Sequence, residues 1–400
     1  MKTLLLHIGM HKTGSSSIQA SLDGFDDAGV RYLRLGHPNH SIPLRTLFAD
    51  DRYAYHVHTR RGLSKAQVDQ LAEQYQAALH SEIRLPHEVK IISGEDIAFL
   101  PEPALSQLRD LLAPHVDSIR VMAYARHPIA FLNSAYQEVV KNSTESKTPP
   151  LPDYRNRFER FFRVFGRENV DIADFDPRRF PDGSVVRDFL VRAGLGHCTP
   201  SEKRANESLS SLVTRLLVAF NRHGPLASGD ELLSAARTRM IESLRSQFDG
   251  PAFRMADELA MHWVSRPDLD WLASETGIDY RDGLPEPAND AVERFEQSVD
   301  TITPDENARL RAYLQHFGVR THAHEDVPEM LSRLYYAILL RTVVEAIDAN
   351  KLKTMASKFA SRAPLSREES VYLLQIAHWV RPGDASIASL MKTLTEPPPG

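Results

Sequence analysis

The sequence predicts an α/β protein: three layers, with a parallel sheet covered by helices on both faces, followed by a largely helical C-terminal half. Two observations predict it. Short apolar runs alternate with segments of helical period up to about residue 195, the pattern of parallel strands joined through covering helices. From Ser201 onward the apolar spacing is helical, and no stretch reads convincingly as a strand. A third observation places function within that frame. The first apolar run passes through a glycine-bounded loop directly into a helix, and such a turn aims free backbone N–H groups and the positive helix end at one point.

Leu4, Leu5, Leu6 and Ile8 make the first strand. The loop Gly9-Met10-His11-Lys12-Thr13-Gly14 follows, and Ser15, Ser16 and Ser17 open a helix that turns Ile18 and Leu22 inward. Residues 29–34 read as the second strand, with Asp26 and Asp27 supplying turn chemistry before it. Residues 36–62 read as a long irregular segment dense in His, Arg and Tyr. A loop of that length is functional or disordered, and its aromatic and basic content argues against disorder. Ser64 caps a helix carrying Val68, Leu71, Tyr75 and Leu79 on one side. The third strand, Val89–Ser93, ends in Gly94-Glu95-Asp96, and a helix covers 103–112. The fourth, Ser118–Ala125, ends in Arg126-His127-Pro128, and proline suits the first turn of the helix that follows. A short aromatic helix (158–165), a fifth strand (170–175) and a helix over 184–193 complete the alternating part.

Beyond it, helices are expected over 209–221, 235–248, 251–263, 288–300, 305–317 and 326–349, with two more within 351–392. The α/β core 1–200 and a helical part 201–318 together form one expected domain, 1–318, with 319–400 as a helical extension. Val327, Met330, Leu331, Leu334, Ile338, Val343 and Ile347 form a broad apolar stripe. It serves either packing within its own domain or a homodimer through the C-terminal helices.

Apolar content of 42% and charged content of 25% are those of an ordinary globular chain. A net charge of −5 excludes a bulk nucleic-acid binder but leaves room for a local basic pocket. Cys198 is the one cysteine, so neither an intrachain disulfide nor a multi-cysteine zinc site can form. No run approaches the roughly 20 apolar residues of a membrane span. A soluble, cytoplasmic protein without a membrane span or nucleic-acid partner is the expectation.

The glycine-bounded loop is not a nucleoside-triphosphate loop. That motif places Lys directly after the second Gly, where this chain has Ser15; the lysine is Lys12, two residues before Gly14. The order Lys12-Thr13-Gly14-Ser15-Ser16-Ser17 on a strand-to-helix turn resembles the 5′-phosphosulfate loop of sulfotransferases that use 3′-phosphoadenosine 5′-phosphosulfate (PAPS), with serines in place of the usual threonines. Family members hold the donor's 3′-phosphate with an arginine ending a strand and a serine on the next helix, and Arg126 and Ser134 match that pattern. Asn206-Glu207-Ser208-Leu209 and Asp174-Phe175-Asp176-Pro177 also look like segments of bacterial sulfotransferases. The resemblance covers about residues 1–315 and implies a P-loop-type fold.

It further implies transfer of a sulfuryl group from PAPS to a hydroxyl or amine of a small-molecule or carbohydrate acceptor, with no metal required. The backbone N–H groups of Thr13 to Ser16 would hold the 5′-phosphate, with Ser17 in the same cofactor-binding loop, and Lys12 would neutralise charge in the transition state. The base is expected on a loop at the same sheet edge: His40, with an unperturbed pKa of about 6.5, or Glu95. Two competing readings remain, an ATP-Mg-dependent kinase or NTPase using Asp96 or Glu95 for magnesium, and a non-catalytic partner-binding protein of the same fold. The pairs His56/His58 and His322/His324 match no recognised metal-ligand spacing.

Overall fold

The computed structural model describes residues 1–142, 148–203, 208–223, 231–316, 318–319, 321–322, 324–346, 350, 353–354, 356–357, 367–381 and 383–395. The chain forms two compact units. The first comprises Met1–Val139, Lys147–Ser208 and Arg254–Phe295; the second comprises Val140–Ser146, Leu209–Phe253 and Glu296–Gly400.

The first unit is built on a six-stranded, mostly parallel sheet. Its strands are β1 (Thr3–His7), β2 (Asp26–Asp27), β3 (Val30–Tyr32), β4 (Val89–Ser93), β5 (Ser118–Ala125) and β6 (Val170–Asp174), in the order β2-β3-β4-β1-β5-β6. The apolar runs at the first, third and fourth positions become the three central strands, because only residues apolar on both faces can be enclosed from both sides. β1 pairs in parallel with β4 and β5, and His7 stands opposite both Ser93 and Met122. That register brings the segments that leave β1, β4 and β5 to one edge of the sheet. Asp26 and Asp27, turn chemistry by sequence, form a two-residue antiparallel edge strand, Asp26 opposite Arg31 of β3.

Alternate residues of β1 enter two separate clusters, as the period of two in a strand requires. Leu4 and Leu6 pack with Leu79 of α4 (Lys65–Ile83), Leu105 and Leu108 of α5 (Glu102–Leu112), and Phe158 and Phe161 of α7 (Tyr154–Phe165). Leu5 packs with Ile18 and Leu22 of α1 (Ser15–Leu22) and with Phe189 and Leu190 of α8 (Val185–Arg192). Each such side chain, fully buried, contributes roughly 1.5–3 kcal/mol against the entropy of ordering. α6 (Pro128–Asn142) follows β5, starting on the proline.

Residues 36–62 are more ordered than their composition indicates. They contain α2 (Ser41–Phe48), a 3₁₀ turn at Arg52–Ala54 and α3 (His56–Arg60). The Asn39 carboxamide oxygen accepts from the Ser41 N–H at 2.9 Å, satisfying an open donor at the start of α2, and Ile42 and Leu44 are buried. Residues 251–263 do not form the single helix expected. Phe253 donates to the Leu209 carbonyl and Ala252 bridges Ser210, so helix begins only at α11 (Asp257–Ala260). α9 (Ser211–His223) and α10 (Glu231–Gln247) precede that stretch, and α12 (Arg266–Thr276) and α13 (Ala291–Asp300) follow.

The second unit is helical. α14 (Pro304–His316), α15 (Val327–Ala346) and the helices Arg367–Val380 and Ala385–Thr395 complete it. α15 packs on α9 and α10, with Met330, Leu331, Leu334, Tyr335, Ile338 and Leu339 buried and the Tyr335 hydroxyl donating to the Leu233 carbonyl at 3.2 Å. Most of the apolar stripe is thus consumed inside its own unit; the Val343 side chain and Ile347 lie outside the described residues. Among the described residues no helix is long and apolar enough to cross a membrane.

Candidate functional site

The turn from β1 to α1 is shaped by three left-handed residues, Gly9 (φ +51°), Lys12 (φ +67°) and Gly14 (φ +78°). Thr13 closes it: its hydroxyl donates to the Met10 carbonyl at 2.5 Å and accepts from the Met10 N–H at 3.2 Å. The N–H groups of Ser17 and Ile18 both turn back to the Gly14 carbonyl. Those of Ser15 and Ser16, in the first turn, have no partner within the helix and face outward along its axis. The Ser15 side chain is buried, yet its hydroxyl has no hydrogen-bond partner. A Cβ on Gly9 would stand 2.4 Å from that oxygen, and one on Gly14 would stand 2.7 Å from Val185. A hydroxyl without a partner beside open helix N–H groups has the donor chemistry that suits an anion.

The end of β5 reaches the same place. The Arg126 guanidinium donates through Nη1 to the carbonyl oxygen of Lys12 and lies 5.4 Å over the ring of Phe175. Burial lowers its pKa to about 10, which leaves it charged at neutral pH. The backbone around it is pinned: Tyr154 donates to the Arg126 carbonyl at 2.5 Å, and the Tyr280 hydroxyl shares its one proton between Asp174 and the Ala125 carbonyl 2.9 Å away. Asp174 and Phe175, singled out in the sequence, therefore serve to hold Arg126. Lys12 Nζ donates to Glu138 Oε2 at 3.1 Å. Ser134 is one helical turn before Glu138, so the face of α6 that meets Lys12 also carries Ser134. Lys12, Thr13, Gly14, Ser15, Ser16, Ser17, Arg126 and Ser134 thus come together at one edge of the sheet.

The two residues expected as base are placed differently. His40 is fully buried: its Nδ1 accepts from the Ser93 N–H at 3.0 Å, its ring stacks on Tyr32 at 4.5 Å, and burial lowers its pKa to about 3. It serves to join α2 to β4, and a substrate has no path to it without displacing that packing. The expectation of His40 as base is corrected on this ground. Glu95 stands at the loop, its Cβ 3.4 Å from the position a Gly9 Cβ would occupy, and it accepts from Gln19 at 2.9 Å and Asn39 at 3.4 Å. His58 is buried against Thr46, and His56 lies on the wall of a cleft. His322 and His324 stack on each other. Among the described residues no group of three or more His, Cys, Asp or Glu is arranged to hold a metal. Asn206 and Glu207 lie outside the described residues.

Sequence reasoning passed over a further cluster. His11 Nε2 lies 2.9 Å from Asp96 Oδ1, Tyr55 donates to Asp96 Oδ2 at 2.6 Å, and Arg157 reaches His11 Nδ1 at 3.4 Å. Burial would raise the Asp96 pKa, but the His11 and Tyr55 hydrogen bonds outweigh it and hold the carboxyl at about 2. Arg157 stacks on Phe99, centroid distance 4.6 Å. Asp96 and Phe99 line a cleft of about 670 Å³ together with Tyr55, His56, Arg45 and Asp51. The available signal was proximity in sequence, since His11 adjoins Lys12 and Asp96 adjoins Glu95. Tyr55, with Tyr32 and Tyr53, gave an aromatic signal of a polar or sugar-like acceptor at the stretch 36–62, and Arg157 gave none.

No family model matches the chain, and no solved structure matches it. The chain is similar to an uncharacterized protein of Archaeoglobus fulgidus, 27% identical over 146 residues. That stretch is 35% of this chain and 40% of the relative, so the match spans about two fifths of the relative's length.

Proposed function

We propose that the protein is a sulfotransferase that takes its sulfuryl group from PAPS, on a three-layer, P-loop-type fold. One observation carries the reading: Arg126 donates to the carbonyl of Lys12, so the arginine of one anion site and the lysine of the other are a single hydrogen bond apart. A bisphosphorylated nucleoside carries both anionic ends on one ribose, and two cradles meeting at one sheet edge suit it. Taken alone, the five parallel strands run second-third-first-fourth-fifth, which puts the reversal of strand order at β1, where ligands of open α/β sheets bind. The unpartnered Ser15 hydroxyl and the Gly9 and Gly14 positions that a Cβ would fill fit a phosphate group there.

In this reading the N–H groups of Gly14 to Ser16 and the Ser15 hydroxyl hold the 5′-phosphate. Arg126 and Ser134 hold the 3′-phosphate, the arginine through its planar fork of donors. Lys12 exchanges Glu138 for the sulfuryl and bridging oxygens and neutralises the charge that grows on the leaving phosphate. Sulfuryl transfer asks for in-line placement and charge stabilisation, which these groups supply without a metal. Of the two bases expected from sequence, Glu95 is the one that stays beside the loop. A cytoplasmic location accords with the single, buried cysteine.

Calorimetric titration with 3′-phosphoadenosine 5′-phosphate (PAP) and, separately, with ATP-Mg tests the proposal. PAP is expected to bind, and Arg126→Ala to weaken it by at least about 1.5 kcal/mol, as for a charge-assisted pair. Tight ATP-Mg binding with none of PAP would instead indicate a kinase or NTPase.

A further inference from the structure

We infer that the cleft bounded by Tyr55, His56, Asp96 and Phe99 receives the acceptor, a neutral or amine-bearing polyhydroxylated ring, and that His11, oriented by Asp96, takes its proton. This rests on the sulfotransferase reading: Asp96 lines the cleft and pairs with His11, and His11 directly precedes Lys12 of the donor loop.

The geometry argues for it in three ways. First, Asp96 fixes the imidazole. It accepts from Nε2–H, which leaves Nδ1 as the lone-pair nitrogen; Nδ1 accepts a long hydrogen bond from Arg157 Nη1 at 3.4 Å, which the acceptor hydroxyl displaces. A carboxylate behind an imidazole stabilises the imidazolium that forms when the ring takes a proton, and Tyr55 on the other oxygen holds the carboxylate in place. Second, the His11 side chain is one-third exposed, unlike the fully buried His40 and His7. Third, the cleft has the chemistry of a sugar site. At about 670 Å³ it suits a small molecule, and Phe99, covered on one face by the Arg157 guanidinium but still 39% exposed, offers its remaining aromatic surface to the apolar side of a ring. Its walls carry Asp50, Asp51 and Asp96 against one fixed cation, Arg45, which is already paired with Asp51 at 2.7 Å. Burial lowers the His56 pKa and keeps that ring neutral. Such a wall accepts hydrogen bonds from hydroxyls and amines and repels an anionic acceptor.

The step balances. The acceptor hydroxyl gives its proton to His11 Nδ1 as its oxygen bonds to sulfur. The bond from sulfur to the bridging phosphate oxygen breaks, and its electron pair leaves on the 5′-phosphate beside Lys12. The products are a sulfate ester, PAP and an imidazolium facing Asp96.

Saturation-transfer NMR on the PAP-loaded protein with methyl β-glucoside, glucosamine and glucuronate as probes tests the cleft, with PAP affinity measured on the same samples. Signals from the first two and not from glucuronate, lost in Phe99→Ala, are expected. Failure of PAP to bind defeats the nucleotide reading itself. PAP binding without a saccharide signal, with glucuronate alone, or with signals that survive in Phe99→Ala, overturns the cleft assignment only. Transfer of ³⁵S from labelled PAPS to the bound probes then tests the base. His11→Gln is expected to lose at least about 100-fold in rate with PAP affinity unchanged. No transfer by the unaltered protein, or a normal rate in His11→Gln with loss in Glu95→Gln, overturns the role of His11.

Discussion

Lys12 sits at φ +67°, a conformation few side-chain-bearing residues adopt, and its ammonium lies 3.1 Å from a Glu138 carboxylate that is 42% exposed. In the proposed reaction that carboxylate competes with the donor for the lysine. Glu138→Gln removes the competing charge, and because exposed pairs are worth roughly 0.5–1 kcal/mol, PAP is expected to bind about 2–5-fold more tightly, measured by calorimetry. An unchanged or weaker affinity would show that the pair does not oppose the ligand. His7 and His40 concern stability instead. Burial pushes both pKa values down to about 3, against 6.5 for the free side chain, with Arg192 adding to the shift at His7. Below pH 6.5 the unfolded chain takes up protons that the folded one refuses, so stability falls as pH drops from 6.5 toward 3. The slope is about 1.4 kcal/mol per pH unit for each group. His40→Gln should remove one such contribution, read as a shallower pH dependence in urea denaturation at pH 6.5, 5.5 and 4.5. Asp96 adds its own loss only lower, from about pH 4 toward its folded value of about 2.

At the scale of elements, the join between β4 and α2 sets where Glu95 and Asp96 point. Gly94 allows it: a Cβ there would lie 2.3 Å from the Ser41 backbone nitrogen, and the Ser41 hydroxyl accepts from the Asp96 N–H at 3.0 Å. Gly94→Ala must push these backbones apart, and a loss of about 1–3 kcal/mol in denaturant stability is expected. A variant as stable as the parent would mean that the join has slack. α2 itself was hidden in a stretch whose His, Arg and Tyr content resembles a loop. Composition averages over a segment, whereas the helix depends on one cap at Asn39 and on Ile42 and Leu44 finding a core.

Across the whole molecule, the proposed ligand touches segments far apart in sequence. PAP at 100 times its Kd should raise apparent stability by about 2.7 kcal/mol, and hydrogen exchange followed over the entire chain should slow at residues 12–18 and 126–138 together. Slowing at one segment alone would mean that the two anion sites do not share a ligand.

The sequence by itself determined the five parallel strands and the helical character beyond residue 201, and it singled out the Lys12 loop and Arg126. These follow from local period, glycine placement and side-chain type, which act within a few residues. Only the tertiary structure decided that Arg126 meets the carbonyl of Lys12, that His40 is sealed away, and that His11, Asp96, Tyr55 and Arg157 form one cluster. Burial and hydrogen bonding between residues tens of positions apart depend on how the sheet is ordered, and no local pattern encodes which of two loop histidines stays partly exposed against Asp96.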